Sequence, residues 1–154
     1  MSTLTKIRLQ DGTLGELNAI TALDQACFGL HSWSLEQVRA EFSKLGQICR
    51  VLLDGETDLL RAAAMGWVIE DEAELLRISV HPDQRRNGLG RRLLEDFLSQ
   101  AFSRGARRCF LEVRIDNQAA IGLYTELAFQ STGVRRAYYS DGCDAQLMET
   151  RRLQ

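Results

Sequence analysis

The sequence predicts an α/β fold, a mixed sheet covered by helices on both faces. Two observations carry this. Segments of period two interleave with segments whose apolar residues recur at three- and four-residue spacing, yet without the strict strand–helix alternation of a parallel sheet. The stretch after Gly90 also carries a wide apolar stripe, Leu93, Leu94, Phe97, Leu98, Ala101 and Phe102, which needs a sheet to pack on. A chain of 154 residues is long enough to bury roughly 70% of the surface it exposes when unfolded. No repeat or low-complexity tract interrupts it and Pro82 is the single proline, so one domain over residues 1–154 is expected.

Taken in order, residues 7–9 read as a first strand, and residues 14–28 as a helix with Leu17, Ile20, Leu23 and Cys27 on one face. Ser34 has the character of an N-cap for a second helix through residue 42. Residues 48–53 and 62–69 are strand-like and flank the polar turn Asp54-Gly55-Glu56-Thr57-Asp58, which makes a hairpin. Residues 74–80 alternate Leu76, Ile78 and Val80 against Leu75, Arg77 and Ser79. The helix after Gly90 stops at Gly105, residues 109–114 form a strand, residues 117–127 a helix, and residues 145–150 a last strand after the Asp141-Gly142 turn.

Composition excludes several classes. A formal net charge of −2 gives the molecule no electrostatic reason to seek nucleic acid or an anionic membrane. Four scattered cysteines, Cys27, Cys49, Cys109 and Cys143, form no C-x-x-C pair, and with only two histidines a zinc site is not expected. The cysteines read as reduced, buried thiols and no metal is called for. No leader-like start or 18-residue apolar run is visible, so the expected location is cytoplasmic, away from membranes.

The most informative segment runs from His81 to Arg91. In Arg85-Arg86-Asn87-Gly88-Leu89-Gly90-Arg91, two glycines let the backbone approach a ligand, and the turn opens onto a helix N-terminus whose free N–H groups favour an anion. The third position of a dinucleotide-binding glycine motif is Leu93, and no Gly-Lys-Ser/Thr follows as in a P-loop. Lys6 and Lys44 are the only lysines among 19 basic residues, and Arg85, Arg86, Arg91 and Arg92 bracket the turn, offering forked donors to phosphate.

Two further residues have chemical potential. On the 109–114 strand Leu111 and Val113 point one way and Phe110, Glu112 and Arg114 the other. Glu112 is thus a candidate general base among apolar neighbours, or else a solvated glutamate paired with Arg114. Asn117, Ala120 and Tyr124 share a helix face. The Tyr124 phenol, with an ordinary pKa near 10, is a candidate general acid, or else a packed ring with a wet hydroxyl.

The order of strand Leu76-Arg77-Ile78-Ser79-Val80, turn Arg85-x-x-Gly88-x-Gly90, strand Leu111-Glu112-Val113-Arg114 and helix Asn117-x-Ala119-Ala120-Ile121-x-Leu123-Tyr124 resembles the GNAT acetyltransferase superfamily over nearly the whole chain. Trp33-Ser34, Leu111-Glu112-Val113-Arg114 and Arg135-Arg136-Ala137-Tyr138-Tyr139 with Asp144-Ala145 resemble its RimI branch, bacterial enzymes that acetylate the N-terminal amine of a ribosomal protein. The resemblance implies the GNAT fold and acetyl-CoA as co-substrate. The pyrophosphate would lie on the backbone of Arg86 to Arg91, with Arg85, Arg86, Asn87, Gly88, Leu89, Gly90 and Arg91 around it. Ile78, Ser79 and Val80, on a strand that splays at a bulge, would receive the acyl carbonyl and pantetheine arm, and Asn117 and Tyr124 would also meet the coenzyme.

It further implies direct transfer, with Glu112 as base and Tyr124 as acid, and Trp33, Tyr138 and Tyr139 lining the slot for the acceptor. That acceptor would be the N-terminal alanine of a small-subunit ribosomal protein, the eighteenth, and the enzyme a monomer or weak dimer. A small-molecule amine acetyltransferase or a non-catalytic acetyl-CoA sensor are the alternatives. Two departures from the family pattern stand out. Ala128 replaces a glycine after the helix, where a left-handed cap would cost roughly 1 kcal/mol, so a different cap is expected. Ser32 replaces a proline before Trp33, leaving that loop less constrained.

Overall fold

Pairing of the period-two segments begins with β1 (Ile7–Asp11), and two helices, α1 (Leu17–Phe28) and α2 (Leu35–Phe42), separate it from β2 (Gln47–Asp54), β3 (Leu60–Ile69) and β4 (Glu72–Val80). There follow α3 (Leu89–Ser103), β5 (Arg108–Arg114), α4 (Gln118–Glu126), β6 (Gln130–Arg135) and β7 (Ala145–Arg151). In this computed structural model, which describes residues 6–152, the seven strands form one sheet in the order β1-β2-β3-β4-β5-β7-β6. Every neighbouring pair is antiparallel except β4 and β5, which α3 joins as a parallel crossover.

Each face of the sheet has its own core. On one, α3 lays Leu93, Leu94, Phe97 and Ala101 against Leu52, Ala64, Leu75 and Leu111, with Tyr124 and Phe129 completing the cluster. On the other, Leu17, Ile20 and Leu23 of α1 and Val38 of α2 cover Val51, Ala63 and Met65. The consecutive alanines of β3 are buried on both faces, Ala62 and Ala64 in the first core and Ala63 in the second. Phe97 is fully enclosed, so cutting it to alanine would cost about 3–5 kcal/mol.

Several boundaries differ from expectation. Residues 14–16 form a 3-10 turn closed by a Thr13/Glu16 capping box, so α1 starts three residues later than its periodicity suggests. Ser34 caps α2 as expected, reciprocally with Gln37. Strand β6 had no expected counterpart, because its side chains lie mostly exposed on an edge and show no apolar alternation. Of the four free cysteines only Cys49 and Cys109 are buried, and burial pushes each thiol up to about 12; Cys27 and Cys143 are half-buried.

The end of α4 also departs from expectation. Ala128 takes the left-handed conformation (φ 68°) that a glycine would occupy, and the Phe129 N–H reaches back to the Tyr124 carbonyl at 3.0 Å. The turn delivers Phe129 into the core, its ring 5.6 Å from that of Tyr124, and this burial outweighs the local strain. Ala128→Gly is therefore expected to stabilise the fold by up to about 1 kcal/mol, a rise in Tm of about 2–4 °C for a domain of this size, read by thermal unfolding.

Candidate functional site

The site originates in a broken ladder. β4 and β5 pair only from Glu72 opposite Arg108 to Leu75 opposite Leu111. On the other side of β4, Met65 faces Arg77 while Gly66 faces Leu75, which leaves Leu76 as the extra residue of a bulge. A side chain at Gly66 would run into the Glu74 carbonyl oxygen and, at 2.6 Å, the Phe97 ring, so only glycine permits the close approach that the bulge requires. Beyond it Ile78, Ser79 and Val80 pair with Ala64, Ala63 and Ala62 alone and turn their second edge to a gap. The bulge lies two residues before the expected 78–80 segment, which is instead the free arm it creates. Glu112 is the first residue of β5 past the parting.

At the mouth of that gap lies the glycine turn. Pro82–Gln84 form a 3-10 turn opened by His81, whose ring accepts the Asp83 N–H. Arg86 (φ 68°) and Gly88 (φ 76°) are both left-handed, and Gly88 serves as N-cap of α3 without any side chain to occupy the helix end. The N–H groups of Leu89, Gly90 and Arg91 therefore have no partner inside the helix, whose first bond runs from Arg92 to Gly88 at 3.0 Å. No acidic residue lies in this first turn, and a Cβ added at Gly88 would meet nothing within 4 Å. This is an open, positive cradle for an anion, and left-handed Arg86 is the strain stored there. Arg85 folds back onto the Val80 carbonyl (3.3 Å) and Arg91 is tied to Glu95 and Glu126. Arg86 and Asn87 are exposed.

Glu112 projects to the α1/α2 side of the sheet. It pairs with Arg135 at 3.3 Å, with its side chain 23% exposed, and its carboxylate is the first cause that raises the pKa of the nearby Tyr138 phenol. Its sequence neighbour Arg114 is engaged elsewhere, in a forked pair with Asp141 (3.2 and 2.7 Å) and with Asp116, so a Glu112–Arg114 pair does not form. A cavity of about 230 Å³ opens beside Glu112 over Phe110, Thr132, Leu147 and Glu149. Asn117 caps α4, its side-chain oxygen accepting the Ala120 N–H at 3.2 Å, which leaves the NH₂ to offer a ligand. Tyr124 is 6% exposed rather than half-wet. Burial, helped by Tyr139 and Cys109, raises its phenol pKa, so it keeps its proton throughout the neutral range.

The aromatic residues stand on two loops. Tyr138 and Tyr139 meet edge to face (5.1 Å) in the β6–β7 connection, with Arg135 over Tyr138 and Arg114 over Tyr139. Trp33 lies on the α1–α2 loop, its backbone N–H donating to Asp24 at 2.6 Å. His31 approaches Asp141 at 3.8 Å, which draws the two loops together across the mouth. Sequence reasoning missed Glu74. It lies two residues before the bulge on the same side as Glu112, opposite Trp67 of β3; burial first, then the Glu112 charge, raises its pKa. A glutamate inside an otherwise strand-like run was the available signal.

Among the described residues no group of three or more His, Cys, Asp or Glu side chains converges as metal ligands do, and no helix is long and apolar enough to cross a membrane. The acetyltransferase (GNAT) family profile matches residues 17–129. The ribosomal protein bS18-alanine N-acetyltransferase of Salmonella typhimurium is 46% identical over 82 residues, 53% of this chain and 55% of that protein. The chain thus spans about half the length of the curated relatives it matches. The crystal structure of the ribosomal-protein-S18-alanine N-acetyltransferase from Escherichia coli superposes with a TM-score of 0.86 at 32% identity, covering 94% of this chain and 93% of that one. Arabidopsis thaliana NAA60 in complex with acetyl-CoA shares the fold, at TM-score 0.84 and 14% identity, over 94% of this chain and 98% of its own.

The Glu74 environment has a measurable consequence. A carboxyl whose folded pKa is raised contributes stability that is complete below its unfolded value, about 4.3, and lost as pH rises through the folded one. Glu74→Gln is therefore expected to be more stable than the parent at pH 7 and equal to it at pH 4, measured by urea midpoints at the two values.

Proposed function

The chain belongs to the GNAT acetyltransferase family, and from that premise we propose that it transfers the acetyl group of acetyl-CoA to the N-terminal α-amine of a protein. The acceptor we infer is the N-terminal alanine of ribosomal protein bS18, the substrate named for its relatives. One observation carries the reading. β4 parts from β5 after Leu75 and Leu111, which leaves an unpaired strand edge that runs to the uncapped N-terminus of α3 and makes Glu112 the first β5 residue past the parting.

The residues fit acetyl-CoA. The N–H groups of Leu89, Gly90 and Arg91, with the bare backbone of Gly88, suit a pyrophosphate, and exposed Arg86 and Asn87 flank it. Bound there, the coenzyme supplies an activated thioester. Along the Ile78–Ser79–Val80 arm, the N–H groups of Ile78 and Val80 point away from β3 and offer backbone donors to the acyl carbonyl as it gains negative charge. Glu112, oriented by Arg135, accepts the proton of the acceptor amine, directly or through water. Tyr124 keeps a proton to give to the departing thiolate, and the Asn117 NH₂ faces the same ligand. Trp33, Tyr138 and Tyr139 form the walls that receive the peptide. We infer that it works in the cytoplasm, as one domain.

Two experiments test this. Glu112→Gln and Tyr124→Phe should each lower kcat by about 10²-fold or more with the acetyl-CoA KM unchanged; wild-type turnover in both would remove these assignments. In a panel of peptides varied at the first residue, thiol release is expected to be fastest with alanine first. Turnover of free amines but of no peptide would assign the enzyme to small molecules.

A further inference from the structure

Asp24 is the one carboxylate buried as deeply as 3% exposure among the described residues, and the transfer chemistry does not use it. Its two oxygens accept Arg77 Nε at 2.9 Å and Nη2 at 2.8 Å, and one of them also takes the Trp33 backbone N–H. Arg77 Nη2 donates in addition to the His31 carbonyl at 2.8 Å. The guanidinium lies 4.0 Å from the centre of the Phe28 ring and 4.9 Å from that of Trp33. One planar cation is thus held at its edge by a carboxylate and a carbonyl and on its faces by aromatic rings, a set of contacts that an ammonium cannot reproduce.

The partners come from separate elements. Asp24 and Phe28 belong to α1, His31 and Trp33 to the loop that follows, and Arg77 to β4 directly after the bulge. The loop that carries Trp33 is therefore fastened to the strand whose next residues are the free arm. Ser32 (φ −72°, ψ 156°) holds the backbone a proline would impose, without a proline to impose it. Buried ion pairs add little net stability over apolar residues of the same volume, so stability alone is a poor reason for this one. Its product is a fixed position for Trp33.

We propose that Arg77 is a positioning residue that sets, through Asp24 and the His31 carbonyl, where Trp33 stands in the acceptor slot, and so which first residue of a peptide is accepted. This rests on the N-terminal acetyltransferase reading above. The test uses Arg77→Lys and the double change Asp24→Asn with Arg77→Met, which leaves no unpaired buried charge. Kinetics are measured on the first-residue peptide panel. Acrylamide quenching of Trp33 is measured in a Trp67→Phe background, which makes Trp33 the single tryptophan.

In the double variant the KM for the best peptide should rise about tenfold with kcat within about threefold. The preference among first residues should flatten, the acetyl-CoA KM should hold, and Trp33 quenching should increase; Arg77→Lys should fall between this and the parent. Unchanged peptide KM and quenching overturn the proposal. So does a fall in kcat at constant peptide KM, which would put Arg77 in the transfer step itself. If the double variant does not fold, Arg77→Lys decides by the same criteria. If the parent acetylates no peptide, the functional reading fails, and quenching alone decides: equal accessibility in parent and variants overturns the clamp.

Discussion

The parting of β4 from β5 after Leu75 and Leu111 is the constraint on which the rest depends. A sheet interior normally satisfies every backbone donor, and leaving one unmet in a buried place costs about 1–3 kcal/mol. Here the extra residue at Leu76, the missing side chain at Gly66 and the enclosed ring of Phe97 force the divergence. Past that point β4 keeps β3 as its single strand partner, and its other edge is left unpaired. The same geometry puts Glu112 at the apex, because it is the first β5 residue without a neighbour on β4.

Electrostatics then organises the walls around the opening. Arg114 gathers Asp116, Asp141 and the Tyr139 ring, and so anchors the β6–β7 connection to the end of β5. The bond of Arg114, followed by the Cys143 N–H, holds the Asp141 carboxyl down at about 2, so this anchor keeps its charge until the medium is strongly acidic. Across the mouth Asp24 and Arg77 do the equivalent for the Trp33 loop. Arginines that look like a phosphate-seeking surplus in composition are in fact divided, with Arg86 open at the cradle and Arg77, Arg91, Arg114 and Arg135 each committed to a carboxylate.

What was legible in the sequence was local. The glycine turn could be read because a left-handed cap and a helix start lie within four residues, whereas alternation and helical spacing give only the direction of Glu112 and Tyr124, whose roles rest on the family resemblance. The bulge could not be read, since it is a statement about two strands at once. Asp24 and Arg77 lie 53 residues apart, and only the packing of α1 over β4 brings them together. Strand β6 carries no apolar rhythm because its faces are wet. Ala128 was misjudged because local preference was weighed without Phe129, whose burial decides the cap.

The place of β7 in the sheet, between β5 and β6, has a consequence for how the molecule is assembled. The β2–β4 meander is built from near neighbours in sequence and can form early in folding. The β6–β7 connection cannot, because β6 reaches β5 only through β7, which follows the other described strands in sequence. Until Ala145–Arg151 slots in, the edge of β5 beyond Glu112 is bare and the tyrosines have no fixed station. The glycine turn and the tyrosine-bearing connection should therefore become ordered at different moments of folding, the turn first and the connection only when β7 closes the sheet.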